Sequence, residues 1–283
     1  MSAFEPIVGR YLSVDILGRK HRVYVEESGS GTPVVCLHTA GADSRQYRHF
    51  QNDAEVLKDF RVIAFDLPWH GKSLPPDGWW TEEYLLSREL YIATVMGVIE
   101  ALELERPIVV GCSMAGSLVL ELARTQGSRL SGVVGFSGAA KVEGRFQDWP
   151  LMPDINSNQV VPTWTEALMA PQSPLASRKE VWWIYSQGGP GIYRGDTYFY
   201  SNDFDLRGRE AEIDTSKCAV YLLTGEYDFA CSADESEDTL RKIPGAKGGR
   251  MADIGHFPIS ENYPLCKTHL LPALQDIAGL KDN

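Results

Sequence analysis

With 283 residues, 43% of them hydrophobic, the chain can bury one full core, as a single α/β domain with an insertion rather than two equal domains. A formal net charge of −11 argues against nucleic acid and anionic membrane surfaces as partners, and the scattered acidic residues read as a solvated surface. No apolar run is long enough to span a bilayer, and residues 1–6 have neither the basic flank nor the apolar stretch of a secretory signal.

Residues 11–26 read as a hairpin: Leu12, Val14 and Ile16 alternate, Gly18 turns the chain, and His21, Val23 and Val25 alternate again. The short apolar run 33–37 fits a strand covered on both faces, ending in the loop His38-Thr39-Ala40-Gly41-Ala42-Asp43. Ser44 is the expected N-cap of a following helix. Residues 61–66 form the next strand and enter the loop Leu67-Pro68-Trp69-His70-Gly71-Lys72-Ser73. Thr81 is expected to open a long amphipathic helix reaching about Leu104, with Glu82 and Glu83 in its first turn. Strands at 107–111 and 132–136 flank a further helix.

Strands alternating with helices imply a mostly parallel sheet with right-handed crossovers and helices on both faces. The rhythm breaks over residues 141–213, which lack periodicity and concentrate tryptophan and tyrosine. A structureless loop of that length does not suit a compact domain, so the segment is expected to be an inserted, mainly helical cap on a core of residues 1–140 and 214–283. Residues 219–223 resume the sheet, a helix covers 233–242, a short strand lies near 250–252, and a helix from about Asn262 to Gly279 closes the chain. The five cysteines, at 36, 112, 218, 231 and 266, are odd in number and lack metal-ligand spacing. They read as reduced core residues of a cytoplasmic protein.

Chemistry concentrates at Pro107-Ile108-Val109-Val110-Gly111-Cys112-Ser113-Met114-Ala115-Gly116. A buried strand runs into small residues around one serine, and a helical pattern follows at once. This is the pattern of a nucleophile elbow, in which Gly111 and Ala115 are small so that strand and helix approach closely around a strained Ser113. A serine hydroxyl becomes a useful nucleophile only when a base takes its proton and a third group orients that base. Asp228, after the seventh strand, and His256, after the eighth with Gly255 before it, supply both at strand ends, where open α/β sheets place their sites. Glu226 and Asp234 are alternatives to Asp228, while residues 137–140 after the sixth strand offer no carboxylate. His38 and His70 are expected to brace their loops. The oxyanion that develops in acyl transfer needs preorganised N–H donors; Met114 N–H and Ala40 N–H are expected in that role, with Thr39 as an alternative donor or pocket residue.

Together these segments make the chain resemble α/β-hydrolase-fold proteins of the serine-nucleophile, cap-bearing branch, over nearly its whole length. The resemblance rests on His38-Thr39-Ala40-Gly41, Asp66 to Ser73, Gly111 to Gly116, Gly225-x-x-Asp228 and Gly255-His256. It implies an eight-stranded sheet and a Ser113-Asp228-His256 triad. Thr39 in place of glycine, Ala115 in place of the elbow's second glycine, and Trp69 depart from the family pattern. Serine at the apex speaks against the aspartate-using dehalogenase and epoxide hydrolase branches. The expected activity is hydrolysis of a small, largely apolar or aromatic ester or lactone. Carbon–carbon bond hydrolysis of a diketone or ring-fission product, or a slow-turnover ligand receptor of the same fold, are the alternatives. Thr39, Trp69, Trp183, Tyr185 and Phe257 are the expected substrate contacts. The expected partner is a small molecule, with no cofactor and no metal, and a homodimer is left open.

Overall fold

The structure, a computed structural model, describes residues 4–280; the first three residues of the expected leaderless N-terminus lie outside them. Eight strands make one sheet: β1 (Val8–Ile16), β2 (Arg19–Gly29), β3 (Thr32–Leu37), β4 (Phe60–Phe65), β5 (Ile108–Cys112), β6 (Gly132–Phe136), β7 (Ala219–Gly225) and β8 (Lys247–Met251). Their spatial order is β1-β2-β4-β3-β5-β6-β7-β8. β2 pairs antiparallel with β1 and β4, and every other pairing is parallel.

The helices are α1 (Arg48–Gln51), α2 (Arg88–Ala101), α3 (Met114–Gln126), α4 (Ser157–Glu166), α5 (Leu175–Tyr185), α6 (Ile192–Tyr198), α7 (Ala233–Lys242), α8 (Pro258–Glu261) and α9 (Tyr263–Ala278). Alternation along the strands divides the core into two layers. Val35, Val109 and Val133 pack toward α2 and α3, and Val34, Val110 and Val134 pack toward α9. Each such buried valine contributes on the order of 1.5–3 kcal/mol. α4, α5 and α6 all lie between β6 and β7, within residues 141–213. Among the described residues no helix is long and apolar enough to cross a membrane.

Two expected helix starts are corrected. The helix expected from Thr81 begins at Arg88, capped by the Ser87 side chain accepting from Leu90 N–H. Thr81 belongs to a separate 3₁₀ turn. Glu82 and Glu83 are drawn out of a helical path by ion pairs to Arg19 and Arg194, and Leu86 N–H donates to Gly195 O in α6. The cap expected at Ser44 is Asp43, whose carboxylate accepts from Arg45 N–H. Ser44 N–H is held instead by Asp66 Oδ1 at 2.8 Å. The helix it opens is broken into a 3₁₀ turn, Ser44–Tyr47, and the single turn α1.

Candidate active site

β5 is buried at every position, and the chain reverses at its end without a spacer before α3. Ser113 takes up that reversal at φ 61° and ψ −121°, a conformation that costs a non-glycine residue about 1–3 kcal/mol. Its neighbours supply the compensation. Ser113 N–H donates to Phe136 O at 2.9 Å, which ties the apex to the end of β6. A Cβ on Gly111 would lie 2.5 Å from Ala115 O, and one on Gly116 would overlap Phe136 O, so both glycines are required by close approach.

Beyond β7, the Asp228 side chain folds back on its own turn. Oδ1 accepts from Ala230 N–H at 2.7 Å and Cys231 N–H at 3.0 Å, leaving Oδ2 for His256 Nδ1 at 2.8 Å. His256 Nε2 lies 2.8 Å from Ser113 Oγ. With Nδ1–H donating to Asp228, Nε2 is the free acceptor for the serine proton. Ser113, Asp228 and His256 are each no more than 5% exposed. The alternative acids are engaged elsewhere: Glu226 accepts from Asp253 N–H, and Asp234 pairs with Arg250.

The His256 loop is held by a residue that carries no motif. Glu261, fully buried, accepts from Gly255 N–H at 2.7 Å, Phe257 N–H at 3.1 Å, Ala170 N–H at 3.1 Å and Ser173 Oγ at 2.8 Å. Burial pushes its carboxyl above the usual range, and these four donors oppose that shift. His256 N–H also donates to Leu168 O at 3.0 Å, so the loop between α4 and α5 sits directly on the histidine.

On the opposite side, the loop after β3 has most of its donors spoken for. Thr39 N–H donates to Gln46 Oε1 at 2.9 Å, and the Thr39 hydroxyl is bonded to Gln46 and Tyr185. Gly41 N–H donates to Asp196 Oδ2 at 2.7 Å. Among the described residues, Ala40 N–H and Met114 N–H have no protein acceptor. The histidines of the neighbouring loops act as braces. His38 Nδ1–H donates to Thr39 O and its Nε2 accepts from Leu67 N–H. Both ring nitrogens of His70 face acceptors, Pro68 O at 3.0 Å and Asp196 Oδ2 at 2.8 Å. Burial disfavours a charged His70 ring, but Asp196 outweighs it and raises the pKa. His38 moves the other way, through burial and the neighbouring His70 charge. Asp196 in α6 also accepts from Tyr84 OH at 2.7 Å.

Ser113 and His256 open onto a cavity of about 20 Å³, room for one or two waters. Ala40, Tyr185 and Phe257 are among the residues that line it; the last two rings lie 5.5 Å apart. Thr39 stands behind that wall, bonded to Tyr185. Two expected contacts are corrected. Trp183 points outward from α5 and is 59% exposed, because the buried face of that helix is taken by Val181, Ile184 and Tyr185. Trp69, at φ 79°, packs against Tyr84 and edge-to-face against Trp79, with centroids 5.2 and 5.5 Å away, and lines a separate hollow with Pro68 and Leu86. Sequence reasoning missed Arg145, Leu168, Tyr193 and Tyr200, which do line the Ser113 cavity. Tyr200 OH donates to Ser137 O at 3.3 Å. Burial pushes the Tyr193 phenol up to about 12.

Residues 34–264 match the model of the alpha/beta hydrolase family. A 2-hydroxymuconate semialdehyde hydrolase from Pseudomonas sp. (strain CF600) is 28% identical over 156 residues, 53% of this chain and 52% of that protein. The chain thus spans about half the length of that curated relative. The fold is shared with an esterase from Thermogutta terrifontis (TM-score 0.83, 17% identity, 95% of this chain and 99% of that one). It is also shared with an enol-lactonase from Burkholderia xenovorans LB400 (TM-score 0.81, 16% identity, 94% and 100%).

Proposed function

The chain belongs to the alpha/beta hydrolase family, and from that premise we propose a serine hydrolase that cleaves a small, largely apolar or aromatic carboxylic ester or lactone through an acyl-enzyme. The observation that carries this reading is the line from Ser113 Oγ through His256 to Asp228, two hydrogen bonds of 2.8 Å each, beside two N–H groups that have no acceptor among the described residues.

In this mechanism Ser113 Oγ attacks the carbonyl carbon while His256 Nε2 takes the hydroxyl proton. Asp228 holds the imidazole in the tautomer that leaves Nε2 free and stabilises the imidazolium. The tetrahedral oxyanion accepts from Met114 N–H and Ala40 N–H, which are fixed before the reaction and so need no reorganisation. Collapse expels the alkoxide, protonated by His256. Water then attacks the acyl-enzyme, giving its proton to His256, and the carboxylic acid leaves with Ser113 restored. These steps use only groups of this chain and water. Residues 141–213 act as the cap, and Tyr185, Tyr193, Tyr200 and Phe257 give the acyl pocket its aromatic lining.

A second reading, carbon–carbon hydrolysis of a ring-fission product, is supported by the 2-hydroxymuconate semialdehyde hydrolase relative and would use the same serine and histidine. The test is turnover of a short-chain aryl ester and of a ring-fission dienoate by wild type and by Ser113→Ala. Removing the nucleophile of a working triad costs several orders of magnitude in rate. Ester turnover that disappears in Ser113→Ala supports the first reading, and dienoate cleavage without ester turnover supports the second. Equal activity of the two proteins refutes both.

A further inference from the structure

One wall of the Ser113 cavity is formed by an arginine that has no counter-ion among the described residues. Arg145 lies between β6 and α4, just after Gly144 at φ 76°, and its side chain is partly buried. Its backbone N–H donates to Ser201 Oγ at 2.8 Å, and its guanidinium Nη2 donates to Phe229 O at 2.6 Å. Among the described residues no carboxylate comes within ion-pair distance of it, although other arginines of the same region are paired. Arg194 holds Glu83 and Asp148, and Arg207 holds Glu143 and Asp205. Apart from the His256–Asp228 pair, the cavity walls beside Arg145 are neutral: Tyr185, Tyr193, Tyr200, Thr165 and Leu168 among them. Arg145 also borders an outer groove with Glu143, Glu235, Asp238 and Lys242, but there Lys242 pairs with Asp238 and Glu235 caps α7 through Ser232.

A guanidinium keeps its charge at any working pH and offers five donors in a planar fork. Here one donor is spent on a carbonyl, Nε and Nη1 have no acceptor among the described residues, and the walls are largely aromatic. Such a group is satisfied by a planar anion that takes two donors at once. In a chain of net charge −11, it also supplies the local attraction that an anionic substrate needs to enter.

We propose that Arg145 binds a carboxylate of the substrate, so that the natural ester or lactone bears a free acid; this rests on the serine-hydrolase reading above. Hydrolysis then adds water across the ester bond of a half-ester to give a dicarboxylic acid and an alcohol, or releases a hydroxy acid when the charge is on the leaving side.

The test uses acid and amide isosteres. On the acyl side, monomethyl adipate is compared with methyl adipamate. On the leaving side, 4-carboxyphenyl butanoate is compared with 4-carbamoylphenyl butanoate. In wild type, kcat/KM for the acid should exceed that for the amide by about 10- to 100-fold in one pair, the size of one or two charge-assisted hydrogen bonds. Arg145→Gln should collapse that ratio toward one. Arg145→Lys, which keeps the charge but not the fork, should fall between. No acid preference in either pair, or a preference that survives Arg145→Gln, overturns the proposal. Binding of monomethyl adipate and 4-carboxyphenyl butanoate to Ser113→Ala, measured by calorimetry with and without Arg145→Gln, is independent of turnover. A Kd raised at least 10-fold for one of them by losing Arg145 supports the anion site even where no ester is hydrolysed, whereas unchanged binding or none refutes it.

Discussion

The Asp196→Asn substitution puts a number on the tie between α6 and the loops around Ser113. Asp196 is fully buried and accepts from Gly41 N–H at 2.7 Å, His70 Nε2 at 2.8 Å and Tyr84 OH at 2.7 Å. Asparagine fits the same space. Its oxygen can take the Gly41 and His70 bonds while the tyrosine hydroxyl turns to accept from the amide. What it removes is the charge opposite His70. Taking one partner from a buried pair costs about 3–5 kcal/mol when the other stays charged, and His70 limits this by losing its proton. The penalty is therefore largest at low pH. Because the folded His70 pKa is raised, its stabilising contribution is complete below the unfolded value near 6.5 and is lost as pH rises through the folded value. His38 and His21 are shifted down, His38 by burial and the His70 charge, His21 by burial and Arg19, so their contributions change below about 6.5. The five cysteines, pushed up by burial, lose theirs only as pH nears the unfolded thiol value of about 8.5, which leaves the window from about 6.5 to 7.5 to His70. Urea unfolding followed by tryptophan fluorescence from about pH 6.5 to 7.5 should show wild type losing stability with rising pH. Asp196→Asn should be less stable by about 3 kcal/mol at pH 6 and nearly flat above it. Equal slopes for the two proteins would refute the charge pairing.

Two further substitutions probe the supports of the serine and the histidine. Gly116→Ala forces a Cβ into Phe136 O, the carbonyl that also holds Ser113 N–H; overpacking of this kind costs about 1–3 kcal/mol. It should lower the melting temperature and reduce ester turnover together, and an unchanged melt would show that the elbow is less tightly built than described. Glu261→Gln replaces a four-donor acceptor with a group that turns an N–H₂ toward one of those donors. It leaves a buried donor unsatisfied at about 1–3 kcal/mol and loosens the backbone on both sides of His256, so kcat should fall more than KM rises. A melt lowered with kcat intact would make Glu261 purely structural.

The central strands were legible because their apolar runs are short and rich in β-branched residues, and because the two-residue alternation that divides Val109 from Val110 divides the core itself. The residues that meet around Ser113 were legible for a related reason: each follows a strand end, and parallel strands carry their ends to one edge. The helix starts were not. Thr81, Ser87, Asp43 and Ser44 are all acceptable caps, and local propensity cannot rank them. Distant partners do, with Arg19 and Arg194 engaging Glu82 and Glu83 and Asp66 engaging Ser44 N–H.

The same reasoning explains why the wall of the cavity could not be read. Residues 141–213 show no period because much of their order comes from single polar ties to remote parts of the chain, not from one continuous apolar face. Asp196 reaches Gly41 across 155 positions, Tyr185 reaches Thr39 across 146, and Ala170 reaches Glu261 across 91. Periodicity records neighbours along an element, so it cannot say that Tyr185 faces the cavity while Trp183, two residues away, faces water. These ties end on Gly41, beside Ala40, and on the carboxylate that holds Gly255 and Phe257, on either side of His256. The segment least visible in the sequence is therefore the one that ties down the loops of the proposed oxyanion donor and base, and substitutions in it should register first as lost turnover.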